Sequence, residues 1–217
     1  MKRLIILLIF IPFLSQSQIE GKQHNQLILR GATLINSTGA PPIGPVDIVI
    51  EKNIITKVQN VGYPGVPINE NRRPKLSKNG VEINCEGSYI LPGFIDTHGH
   101  IGGRSQGASP DYVFKLWMAH GITTIREPGG SLSHELKLEL KNKSEKNIIV
   151  APRIIAFSTF NSRVQSPDEA KEWVRENAKK GSDGIKFFGA PPEIMQAAIE
   201  ENKRLGLRST SHHAQLN

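Results

Sequence analysis

Two hydrophobic rhythms divide the chain. Between Leu27 and Leu91, apolar and polar residues alternate over short stretches broken by turns. QLILRGATLI, VDIVIEKNIITKVQ and GVEINCEGSYIL are rich in Val, Ile and Thr and follow the two-residue period of β-strands. Within the second stretch, Lys52-Asn53 predicts a two-residue hairpin turn, because asparagine tolerates positive φ. From Pro92 onward the rhythm becomes strand, loop, helix, repeated. Candidate strands are FIDTH (94–98), ITTIRE (122–127), RIIAFS (153–158), GIKFF (184–188) and LRSTSHH (207–213). They recur at roughly thirty-residue intervals, as βαβ units do.

The segments between these strands carry helix punctuation. SPDYVFKLWMAHG offers Ser109 as N-cap, Pro110 at the first helical position and Gly121 just past the end. In SPDEAKEWVRENAKKG, Ser166 and Glu169 form a capping box and Pro167 follows the cap. Ala170, Trp173, Val174 and Ala178 make an apolar stripe there, closed by Gly181. A third helix is expected near Pro192 to Leu205, ending at Gly206. Five parallel strands with right-handed crossovers predict an α/β fold, either part of a (β/α) barrel or an open doubly wound sheet.

The first residues stand apart. MKRLIILLIFIPFLSQS begins with Lys2 and Arg3, runs apolar from Leu4 to Leu14, and places Ser15 and Ser17 where a signal peptidase needs small side chains. The expectation is a signal peptide over 1–17, cleaved near Ser17, and a secreted or periplasmic protein. The apolar run is short for a bilayer, so no stable membrane anchor is expected, and no cysteine follows it for lipid attachment.

Composition adds little beyond a globular balance, with 38% hydrophobic and 22% charged residues in 217. Two units of the +7 formal charge belong to Lys2 and Arg3, and part of the rest lies in NENRRPKLSKNG (69–80). That run lacks aromatic residues and reads as a solvated loop, so no nucleic-acid partner is expected. Cys85 is the single cysteine, which rules out an internal disulfide, and its alternating context predicts a small buried residue.

Candidate chemistry gathers at the strand ends. His98 and His100 flank Gly99 after a short apolar run. On a strand they would project to one side, at the end where α/β barrels place their reactions. Imidazole is a common ligand for zinc-like cations. Lys186 lies inside the apolar strand DGIKFF, where an ammonium is costly unless it is paired or chemically altered. One reading is a buried ion pair; the other is a carbamate formed with carbon dioxide, whose two oxygens can bridge two metal ions. His212 and His213 end the next strand, and only one of two neighbours can face inward. Asp96 lies two positions before His98 and could support the site or bond to backbone.

GSYILPGFIDTHGH resembles the signature of the amidohydrolase superfamily, in which a β-sandwich strand leads through PG-apolar-ID-x-H-x-H into the first barrel strand. LILRGATLIN and DIVIEKNIITKV resemble that family's N-terminal sandwich, HGITTIREPGG its second barrel strand, and GIKFF its fourth, with the carboxylated lysine. The nearest subgroup looks like the imidazolonepropionase-like and prolidase-like enzymes. The resemblance implies a small β-sandwich module over 18–91 and part of a TIM (β/α)8 barrel over 92–217, with about five strands present. It implies a hydrolase of carbon–nitrogen bonds acting on small amide or cyclic amide substrates. His98 and His100 would hold one metal, His213 (which precedes alanine as in the family pattern) the second, and carboxylated Lys186 would bridge them. A hydroxide between the metals would attack the substrate carbonyl. Zinc suits these donors best, with manganese, iron or cobalt as alternatives. Arg126 is a possible substrate contact or salt-bridge partner, and His212 a possible substrate or supporting residue.

Family members continue to a sixth-strand histidine and an eighth-strand aspartate that shuttles the proton. The sequence closes at Asn217, four residues after His213, so that aspartate is expected beyond Asn217. No residue here stands in for it, so no catalytic acid/base is identifiable, and the expectation is a fragment of a longer protein. Two alternatives remain: a non-catalytic half-barrel that needs a partner chain, and a mononuclear deaminase of the same superfamily. Alone, the half-barrel would leave a strand edge unpaired and is expected to oligomerise.

Overall fold

A computed structural model describes residues 24–160 and 163–212; the 1–17 segment, His213 and Asn217 lie outside the described residues. The first unit is a five-stranded mixed sheet of β1 (Gln26–Leu34), β2 (Ile43–Glu51), β3 (Ile54–Asn60), β4 (Val81–Asn84) and β5 (Tyr89–Ile90). Their order is β3-β2-β1-β4, with β5 also pairing on β1. β1 runs antiparallel to β2 and parallel to β4 and β5. The sheet is locked by a buried carboxylate. Asp47 accepts from the Arg30 guanidinium at 2.9 Å and from the Gly31 N–H at 2.8 Å. Arg30 also donates to Glu82 on β4, so one charge network spans three strands.

The hairpin between β2 and β3 forms at Lys52-Asn53, since Glu51 pairs with Ile54. Its left-handed residue is Lys52 (φ 57), not the asparagine the sequence points to. Cys85 also departs from expectation. It is half-buried and sits one residue past β4, because a turn closed by Ser88 N–H to Cys85 O begins there.

The second unit is a curled parallel sheet in sequential order, β6 (Phe94–Asp96), β7 (Ile122–Glu127), β8 (Arg153–Thr159), β9 (Gly184–Phe187) and β10 (Arg208–Ser211). Helices α1 (Pro110–Ala119), α2 (His134–Glu145), α3 (Pro167–Lys180) and α4 (Pro192–Arg204) make the crossovers. This is half of a TIM-type barrel preceded by a β module. The predicted strand 94–98 stops at Asp96 because the Asp96 side chain accepts the His98 N–H at 2.8 Å, turning the chain out of the ladder. His98 and His100 are therefore loop residues above β6 rather than strand residues.

The core lies between sheet and helices. Ile125, Ile154 and Ala156 pack with Phe114 of α1, and Ile185 and Phe187 pack with Ala170, Val174, Ile194 and Ala198 of α3 and α4. Strand alternation then turns Arg126 and Lys186 to the concave, barrel-interior side. The caps read from sequence are present, with Ser109 accepting from the Tyr112 N–H and Ser166 from the Glu169 N–H. The reciprocal half of the capping box is displaced by one residue: Glu169 accepts from the Gln165 N–H, not from that of Ser166. Among the described residues, no helix is long and apolar enough to cross a membrane.

Helix α2 has no strong apolar stripe; Leu138 and Leu140 pack on the Ile125 cluster, and polar groups do much of the docking. Lys137 donates to the Phe157 carbonyl at 3.0 Å, and Ser144 to the Pro152 carbonyl at 2.8 Å. At its first turn, His134 Nε2 lies 2.9 Å from Ser182 Oγ and 3.0 Å from Ser158 Oγ, both buried. Burial, and then the Lys137 charge, hold the His134 imidazole below its ordinary pKa, with Lys180 adding to this and Glu135 opposing it. The unfolded chain thus binds this proton more readily than the folded one. The stabilising contribution is complete above the ordinary histidine value of about 6.5 and is lost as pH falls through the lower folded value. Denaturant unfolding of wild type and His134→Gln across this range should show a steeper loss of stability on acidification in wild type; parallel curves would contradict this account.

Candidate metal centre

The sequence-derived candidates converge at the carboxyl ends of the barrel strands. Beyond β6, the Asp96 turn carries His98 and His100, whose rings stand 5.7 Å apart at 89°. Gly99 between them is buried. A Cβ there would meet Ile125 Cδ1 at 2.6 Å and Trp117 Cζ2 at 3.1 Å, so the loop can approach the core only with glycine at this position. Asp96 shows a backbone hydrogen bond, to the His98 N–H, and so shapes the turn.

Lys186 is 2% exposed on β9, a strand buried along its whole length. No carboxylate among the described residues lies within ion-pair distance of it; its Nζ stands 5.3 Å from the centre of the Phe188 ring. Burial, then the neighbouring Arg126 charge, push its ammonium below the usual lysine range, toward the neutral amine. Arg126 likewise has no salt bridge among the described residues. Its guanidinium lies over Phe157 at 5.5 Å, and its Nε is buried without a hydrogen-bond partner.

The proton affinity of His98 reports the same convergence. It is lowered by burial first, then by the charges of Lys186, His100, Arg126 and His212. These groups come from four different strands or strand ends. In β10, Thr210 pairs with Lys186, so position 212 falls on the Lys186 side of the sheet. The His212 ring packs on Phe188 at 4.5 Å. Of the other histidines, His120 bonds the Leu116 carbonyl at the end of α1, and His134 is held by Ser158 and Ser182. Among the described residues, no three His, Cys, Asp or Glu side chains form a metal-holding group by themselves. Asp96 is engaged with backbone; the aspartate expected beyond Asn217, like the chain after His212, lies outside the described residues.

Glu127 is a site residue that the sequence does not single out. It ends β7 at 1% exposure, and its carboxylate stands 3.0 Å from His100 Nδ1 while accepting the N–H groups of Ile101 at 2.7 Å and Gly129 at 2.8 Å. The available signal is a glutamate closing a strand directly before Pro-Gly-Gly.

Among solved structures, a putative prolidase from Bifidobacterium longum superposes with a TM-score of 0.65 at 20% identity, covering 88% of this chain and 50% of that protein. Bottromycin amidohydrolase superposes at 0.64 with 18% identity, covering 92% of this chain and 41% of that protein. The fold is that of the amidohydrolases. At these identities the likeness concerns architecture alone. Among curated proteins, adenine deaminase 2 of Desulfotalea psychrophila is 31% identical over 105 residues, which is 48% of this chain and 15% of that protein. The chain therefore spans about half the length of the solved amidohydrolases and a much smaller share of the curated relative. No protein-family profile matches it.

The close packing at Gly99 gives a direct check. Gly99→Ala should destabilise the fold by about 1–3 kcal/mol, as overpacking of a filled core does. An unchanged melting midpoint would mean that Ile125 and Trp117 can withdraw.

Proposed function

We propose that the full protein is a metal-dependent hydrolase of carbon–nitrogen bonds in small molecules. The observation that carries this reading is the buried Lys186, which has no ion-pair partner among the described residues and faces the same space as His98 and His100. A neutral amine can attack carbon dioxide: the N–C bond forms, nitrogen loses a proton, and the product is an anionic carbamate with two oxygen donors. Imidazoles and a carbamate fit divalent cations, zinc best among them. We assign His98 and His100 to one ion, the Lys186 carbamate as the bridge, and a histidine of the β10 end to the second ion. His213, favoured by the family pattern, lies outside the described residues; the two-residue period of β10 supports His212 for that place. The bound cations would polarise the substrate and bring the pKa of water toward neutrality.

The chain's own residues prepare that site. The Asp96 turn and Gly99 aim the two imidazoles. The apolar strands around Lys186 disfavour its ammonium, and Arg126 adds to this from the barrel interior. A basic, apolar N-terminal segment supports export, so we place the mature protein outside the cytoplasm.

Two substrate classes follow from the relatives. The solved neighbours include a protein named as a prolidase and a protein named as an amidohydrolase, which favours an amide. The curated relative named adenine deaminase 2 favours an aminopurine, with loss of ammonia. Both reactions place water on a trigonal carbon and expel nitrogen. The deciding experiment assays the full-length protein from its natural host, loaded with zinc, on dipeptides, N-acyl amides, cyclic amides and aminopurines. Hydrolysis lost by at least a hundredfold in both His98→Ala and Lys186→Ala, with two metal ions per chain, is the expected outcome. One ion per chain with activity surviving Lys186→Ala would replace it with the mononuclear deaminase reading.

A further inference from the structure

The Glu127 carboxylate joins three backbone segments. It belongs to the end of β7, touches the imidazole and the following residue of the His98–His100 loop, and caps the turn that leads toward α2. At 1% exposure, a carboxylate is costly unless its oxygens are occupied. Both are: Oε2 accepts the Ile101 N–H and Oε1 accepts the Gly129 N–H.

An ionised carboxylate can only accept hydrogen bonds. The 3.0 Å contact to His100 Nδ1 therefore requires the proton on Nδ1, which leaves Nε2 with its lone pair free. The turn beside it is fitted to this contact. A Cβ on Gly130 would stand 3.2 Å from both Glu127 Oε1 and His100 Nδ1.

We infer that Glu127 is the positioning residue for His100: its carboxylate fixes the Nδ1–H tautomer and the ring orientation, and presents Nε2 to a divalent cation. The inference rests on the metal-site reading proposed above. It differs from a general structural role because it predicts which nitrogen carries the proton and predicts a loss of metal affinity. Carboxylate partners of ligating histidines typically change metal affinity by about 10- to 100-fold.

The test uses the full-length protein from its natural host, first without metal and then with cobalt(II) as the probe. Long-range proton–nitrogen NMR of the imidazoles in the metal-free wild type should place the His100 proton on Nδ1. Cobalt titration followed by visible absorbance should show Glu127→Gln binding about 10- to 100-fold more weakly than wild type, with unchanged stoichiometry. Glu127→Asp should recover part of that loss. A proton on Nε2 of His100, or a Glu127→Gln affinity equal to wild type, overturns the inference. The NMR result stands even if Glu127→Gln fails to fold. Equal cobalt binding by wild type and His98→Ala would instead remove the metal reading itself, and the positioning role with it.

Discussion

A parallel sheet covered by helices on one side has two faces with opposite demands. Every second side chain enters a dry layer against the helices and must be apolar or fully satisfied; the others face the barrel interior. In β9 this rule places Ile185 and Phe187 among the α3 and α4 side chains, and leaves Lys186 nowhere to point but inward. The same rule, applied to β7, sends Ile125 and Glu127 to the helix side and Arg126 inward. The inward placement of Arg126 and Lys186 is thus a product of alternation. They stand where they do because their neighbours had to be buried.

Alternation alone would set donors along straight strands, and the structure departs from it at the point of greatest consequence. The Asp96 side chain takes the His98 N–H and ends β6 early, freeing the two histidines from the pleat. Their mutual placement then comes from three other constraints. The turn sets their exit, Gly99 allows the loop to lie against Ile125 and Trp117, and Glu127 holds the far histidine. A loop built this way is fixed by packing and hydrogen bonds, one of them from the Gly99 N–H to the Arg126 carbonyl of β7 at 3.1 Å.

The legible part of this molecule follows from periodicity. The five barrel strands, the caps Ser109 and Ser166, and the inward lysine can all be read from local pattern, because each is decided by residues close in sequence. The departures are long-range. The early end of β6 depends on one side chain competing with the strand ladder. Glu127 escapes a sequence reading because its meaning lies in Ile101, Gly129 and His100, and only the two glycines beside it hint at a crowded turn. The Arg126 guanidinium stacks on Phe157, a contact that joins β7 to β8 and that no local pattern announces. Helix α2 escapes the pattern because Lys137, Ser144 and His134 do much of its docking and no strong apolar stripe marks it. Polar docking leaves no periodic trace.

The contact between His100 and Glu127 spans 27 residues, the length of one βαβ unit. This part of the centre is therefore encoded locally, and β6, α1 and β7 suffice to bring its members together. Lys186 and His212 form a second local unit across β9, α4 and β10. As the chain is synthesised, the histidine pair and its carboxylate can meet before the strand carrying Lys186 exists. The candidate site thus has two locally encoded parts, which the curl of the sheet brings together.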